Sequence, residues 1–145
     1  IHAQSLQARK EKIEGVIILE MIGYFSEKNE QNYPIKAMKW IYPKHGNFIA
    51  AVSNFSSRNL GKDYCTAMNQ YNQLQCSRLV APASVQGVDF SDHLNYWSLG
   101  YKALMITDTS FYRNDAYHTK QDTLDRLNTN KMAYVLDGIS HMLLK

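Results

Sequence analysis

The segment Gly15-Val-Ile-Ile-Leu-Glu-Met21 constrains the fold more than any other part of the chain. Its apolar, largely β-branched run is continuous rather than alternating, which is the pattern of a strand covered on both faces. Three more short apolar runs repeat the signal: Phe48 to Ser53, Arg78 to Ala81 before Pro82, and Lys102 to Thr107. Helical patterns alternate with them. Residues 3–14 predict a helix with Leu6 and Ile13 one heptad apart, ended by Gly15. Ser56 or Ser57 suits the N-cap of a helix to about Gln73, with Leu60, Tyr64, Ala67, Met68 and Tyr71 on its stripe. Ser91 suits the cap of a short helix over Asp92–Leu99, closed by Gly100. A last helix runs from about Asn130 to Leu144, with Met132, Val135, Leu136, Ile139 and Leu143 as its expected buried stripe. The order α-β-β-α-β-α-β-α predicts a layered α/β sandwich.

In such folds ligands sit beyond the carboxyl ends of the strands. That rule selects Glu20 and Met21, Asn54, Ala83 to Phe90, and Asp108 to Thr119. It also marks residues 22–46, rich in Gly, Asn, Pro and Tyr, as a long connection of the kind that is often functional.

Composition narrows the class. The chain has 145 residues, a length that suits one domain over 1–145, and 45% of them are hydrophobic against 20% charged. That balance excludes a disordered segment. A net charge of +3 with dispersed Lys and Arg gives no footprint for nucleic acid. The longest apolar run, Val16 to Leu19, falls far short of the ~20 residues that span a bilayer, so no membrane partner is expected. Neither is there a charged stretch followed by an apolar run of signal-peptide type. Ile1 rather than Met stands first, from which we expect residues upstream to have been removed. Cys65 and Cys76 suit either one disulfide in an oxidising compartment or two small buried side chains, and spacing leaves both open.

No self-contained metal or nucleophile motif is present: there is no His-Glu-x-x-His, no Cys-x-x-Cys, no phosphate-binding Gly loop and no Gly-x-Ser-x-Gly. The chemistry rests on polar residues at strand ends. Glu20 is costly to bury without a partner, so it is either a metal ligand or a carboxylate at a strand mouth, paired or solvated. His118 lies in a polar loop and suits a metal ligand, an acid or base, or a plain exposed side chain. Asp92-His93 is either a substrate-facing pair or the capped start of a helix. His2, His45 and His141 have no metal-ligand spacing and are read as ordinary side chains.

Taken in order, three strings resemble one family. Ile18-Leu-Glu-Met-Ile-Gly-Tyr24 is similar to a strand of the co-catalytic di-zinc aminopeptidases, whose fold the glutaminyl cyclases share. Phe90-Ser-Asp-His-Leu-Asn-Tyr-Trp97 and the following Gly100 to Asp108 resemble the family's Ser-Asp-His helix and next strand. Phe111 to Thr123 resembles its His-Thr-x-x-Asp-Thr signature. The resemblance implies a three-layer α-β-α sandwich with a mixed, largely parallel sheet, incomplete at its N-terminal side. It implies two zinc ions in the complete enzyme, with Glu20 a ligand to one and His118 a ligand to the other. Asp92 and His93 would lie near the substrate pocket, and Asp122 would support the His118 loop. The remaining ligands and the general-base Glu belong upstream, so no catalytic residue is expected in this chain. One ligand per ion leaves zinc absent or weakly held.

The implied activity is hydrolysis of N-terminal peptide bonds, with a peptide as substrate and a secreted or periplasmic location favoured. A glutaminyl-cyclase-like acyltransferase and a non-catalytic binding domain on the same fold are the alternatives. Two departures stand out: Glu20 stands where many members have Asp, and Val88 stands where some have a Tyr. An incomplete sheet would also leave an exposed edge open to self-association.

Overall fold

A computed structural model describes residues 1–28 and 30–144. Helix α1 spans His2–Ala8, followed by strand β1 at Val16–Leu19. A 3-10 turn at Lys36–Trp40 interrupts the long connection to β2, Phe48–Ser53. Then come α2 (Arg58–Tyr71), β3 (Gln75–Val80), α3 (His93–Trp97), β4 (Ala103–Thr107) and α4 (Thr129–Leu143), with short 3-10 turns at Ser110–Tyr112 and Leu124–Arg126.

The four strands form one sheet in the order β1-β4-β2-β3. β1 and β4 are parallel, as are β2 and β3, while β2 and β4 are antiparallel. The sheet is therefore mixed and largely parallel, with helices on both sides, as expected. β2 and β4 are buried at every residue, which is why their sequences read as unbroken apolar runs. β1 and β3 lie at the two ends of this order and are more exposed.

Side chains alternate across the sheet. Ile17, Ile49, Ala51, Leu104 and Ile106 face one side, where Tyr64 and Met68 of α2 and Val135 of α4 pack on them. Phe48, Ala50, Val52 and Met105 face the other side and meet Val88, Tyr33 and Trp97. Next to them Ala103, Val16 and Ile18 pack under α1 and α3. Glu20 shares the parity of Val16 and Ile18, so it emerges on this second side.

Three local expectations are corrected. The first helix stops at Ala8, because Lys10 takes a left-handed φ of 54° that no helix continues. Ile13 reaches its cluster from a loop instead. On α4, Leu136 and Leu143 are exposed, and the helix is rotated so that Val135 and Gly138 meet α2. Ser91 does not cap α3: Asp92 precedes the helix and makes no side-chain cap bond. Cys65 of α2 and Cys76 of β3 form a disulfide, with their Cα atoms 5.1 Å apart.

Candidate active-site pocket

At the carboxyl ends of β1 and β4 the second face of the sheet is roofed by loops rather than by a helix. The space between is a cavity of about 70 Å³. Its floor is Phe48, Ala50 and Val52 of β2, Met105 and Thr107 of β4, and Leu79 of β3. Tyr33, Pro34, Met38 and Tyr42 of the long connection form its roof, tied down where Tyr33 donates to the Pro43 carbonyl and Tyr42 to the Arg78 carbonyl. Gln86, Gly87, Val88 and Phe90 make one wall, and Phe111, Tyr112 and Tyr117 the other. Glu20 is the one ionisable carboxylate or cationic side chain among the lining residues.

Glu20 is half-buried at the rim and accepts a hydrogen bond from the Ser91 hydroxyl at 2.8 Å, through Oε2. The hydroxyl that suggested a helix cap in sequence thus orients a carboxylate. Burial raises the pKa of Tyr117, and the negative charge of Glu20 raises it further, which sets the two groups within electrostatic reach. His118 is exposed and stacks on Tyr117 with ring centroids 3.9 Å apart. Its φ of 59° is left-handed and turns the chain sharply at this point. Glu20 and His118 are therefore both associated with Tyr117, one by charge and the other by stacking, although they lie 98 positions apart in sequence.

His93 is fully buried and lies behind the pocket wall rather than in the lining. Its Nε2 bonds the Val88 carbonyl at 2.6 Å, and since a carbonyl only accepts, Nε2 carries the proton. Nδ1 is buried with no partner, and the ring sits edge-on to Trp97. Burial lowers its pKa, which keeps the ring neutral. Its contact with Val88 fixes the wall segment that carries Gln86 to Phe90. Asp92 is exposed and accepts a long bond from Asn95. Asp122 is exposed too and accepts from Asn114, a buried side chain at the base of the His118 loop.

Two functional candidates escaped the sequence reading as individuals. Asp108, fully buried at the end of β4, accepts from the backbone N–H groups of Gly23, Tyr24 and Ser110. Arg113 donates to Gln31 and to the carbonyls of Tyr24 and Phe48. Their only sequence signal was a polar residue just past a strand and an Arg in a loop, which is common.

A carboxylate and an imidazole are donors that zinc accepts, but a catalytic zinc takes about three protein ligands. Among the described residues no group of three or more His, Cys, Asp or Glu side chains converges.

The mixed sheet with helices on both sides and a pocket beyond its strand ends is the framework of a peptidase-family domain. The chain belongs to peptidase family M28, which it matches over residues 2–143. It is 46% identical over 144 residues to the uncharacterized protein YfbL of Escherichia coli K12, covering 99% of this chain and 44% of that protein. Among solved structures it resembles the LapA aminopeptidase of Legionella pneumophila, with a TM-score of 0.66, 19% identity, and coverage of 97% of this chain and 32% of that one. LapB of the same organism gives a TM-score of 0.70 at 18% identity, covering 99% and 34%. The chain thus spans less than half the length of the curated relative and about a third of the solved ones.

Proposed function

We propose that this chain is the C-terminal portion of a zinc-dependent aminopeptidase and carries the pocket for the side chain of the substrate's N-terminal residue. The observation that carries the reading is the apolar cavity with Glu20 as the one charged side chain in its lining and His118 stacked on the lining residue Tyr117. An apolar pocket of this kind desolvates a Leu, Met or Phe side chain favourably and penalises a charged one. Ser91 keeps the Glu20 carboxylate at the mouth, and the aromatic walls exclude water from the scissile end. Glu20 and His118 would each serve one of two zinc ions, with the other ligands and the general base supplied from outside residues 1–145. The isolated chain is then inactive.

The Cys65–Cys76 disulfide supports a secreted or periplasmic location, because such bonds persist in oxidising compartments. The test compares this chain and the natural protein on chromogenic amides of Leu, Phe, Glu and Lys, with zinc measured by metal analysis. The expected result is zinc-dependent hydrolysis by the natural protein, selective for Leu and Phe, and none by the chain alone. Cyclisation of N-terminal glutamine without amide hydrolysis would favour an acyltransferase. Two zincs bound tightly by the chain alone would overturn the assignment of ligands.

A further inference from the structure

We propose that Asp108 is a positioning residue: one carboxylate clamps the turn that follows Glu20 to the loop that leads to His118. The inference rests on the proposed function only for which residues are being positioned; the clamp itself is geometric. Oδ2 accepts from the N–H groups of Gly23 at 3.0 Å and Tyr24 at 2.8 Å, and Oδ1 accepts from Ser110 N–H at 3.0 Å. The Asp108 N–H donates to the Met21 carbonyl, one residue beyond Glu20, at 2.6 Å. Asp108 and Gly23 are buried, so the Gly23 N–H has no water to turn to when the carboxylate is lost, while the Tyr24 and Ser110 N–H groups are partly buried.

The backbone it grips is strained on both sides. Met21 has a φ of 53°, Thr109 of 78° and Ser110 of 46°, none of them glycine. Left-handed residues of this kind persist only where the surroundings over-determine them. A single buried anion bonded to both segments supplies that constraint. β1 and β4 are already paired through Leu19 and Ile106, so the strands do not need the clamp; the turns beyond them do. The consequence is that the rim carboxylate and the loop of His118 move together or not at all.

The test is Asp108→Asn, which keeps the size but turns an amide N–H₂ toward backbone donors. In this chain, amide exchange should accelerate on the order of tenfold or more in both 21–24 and 109–118, with β2 and β4 unchanged. In the natural protein, kcat on a Leu amide should fall by up to about 100-fold while KM stays within a few-fold. Faster exchange in only one segment, or in neither, overturns the clamp. Faster exchange in both with kcat unchanged overturns the positioning role. If the unmodified protein hydrolyses nothing, the functional reading has failed and exchange alone decides the clamp. Should the variant not fold, exchange in the unmodified chain decides: Gly23, Tyr24 and Ser110 amides should open together, within about an order of magnitude, and unrelated rates refute a shared clamp.

Discussion

The Ser91 hydroxyl donates to Oε2 of Glu20 across 2.8 Å, joining the segment before α3 to the end of β1. A hydrogen bond to a charged group at a half-exposed site contributes modestly to stability, about 1 kcal/mol. We therefore expect Ser91→Ala to lower stability by that amount or less in urea titrations. Its larger effect should fall on peptide hydrolysis by the natural protein, where a swinging Glu20 lowers kcat by about tenfold. Ser91→Thr, which keeps the hydroxyl, should restore most of it.

The disulfide between Cys65 and Cys76 closes a short loop, with a sequence separation of 11, between α2 and β3. Loop-closure entropy for a ring of that length is worth roughly 3 kcal/mol. Reduction with dithiothreitol, or the Cys65→Ala/Cys76→Ala pair, should lower the urea midpoint accordingly. An unchanged midpoint would mean that the bridge does not form in solution.

Gly138 sits where α4 meets α2. A Cβ there would land on Met68 Sδ and lie 2.7 Å from Met68 Cγ and 3.2 Å from Tyr64 Cε2. Both neighbours are fully buried and have little room to retreat. Gly→Ala inside a helix normally gains about 1 kcal/mol. Overpacking a closed core costs about 1–3 kcal/mol. We expect the steric cost to win, so Gly138→Ala lowers the thermal midpoint; a higher midpoint would show that Met68 moves freely.

Two buried groups give opposing pH dependences. Burial is the main influence on the Asp108 carboxyl and pushes it up to about 6, against the pull of the Tyr24 and Ser110 N–H groups, the Arg113 guanidinium and the Gly23 N–H. The folded chain then holds that proton more tightly than the unfolded chain. Its contribution is most favourable at low pH and is lost as pH rises from about 4 through about 6. His93 runs the other way. Burial lowers its pKa, so the unfolded chain takes the proton first and stability falls as pH drops below about 6.5. Urea midpoints between pH 4 and 8 should show His93→Gln losing acid less steeply than the parent. Asp108→Asn should lose the opposing gain on acidification. Parallel curves for all three proteins would refute both assignments.

β2 and β4 were legible because burial on both faces leaves a direct mark: β2 was expected at its observed boundaries and β4 to within one residue, whereas β3, partly exposed, begins at Gln75, three residues before the expected Arg78. The resemblance carried by Glu20, the Ser91 segment and the His118 loop was legible because each lies in a continuous string of sequence, Ile18 to Tyr24, Phe90 to Trp97 and Phe111 to Thr123. Helix limits were less so. Ile13 lies one heptad from Leu6 and satisfies a helical pattern, yet packs from a loop, because a left-handed Lys10 redirects the chain.

What the sequence by itself determined was the alternation of strands and helices and the family. Only the tertiary structure decided what Ser91 and His93 do. One turns from cap to partner of Glu20, and the other lies behind the pocket wall on the Val88 carbonyl. It also decided that Asp108 grips two segments more than 80 residues apart, with separations of 84 and 85 to its partners Tyr24 and Gly23. The physical reason is common to all three. A side chain's partner is fixed by the packing that brings distant backbone within about 3 Å, and no local pattern encodes that distance.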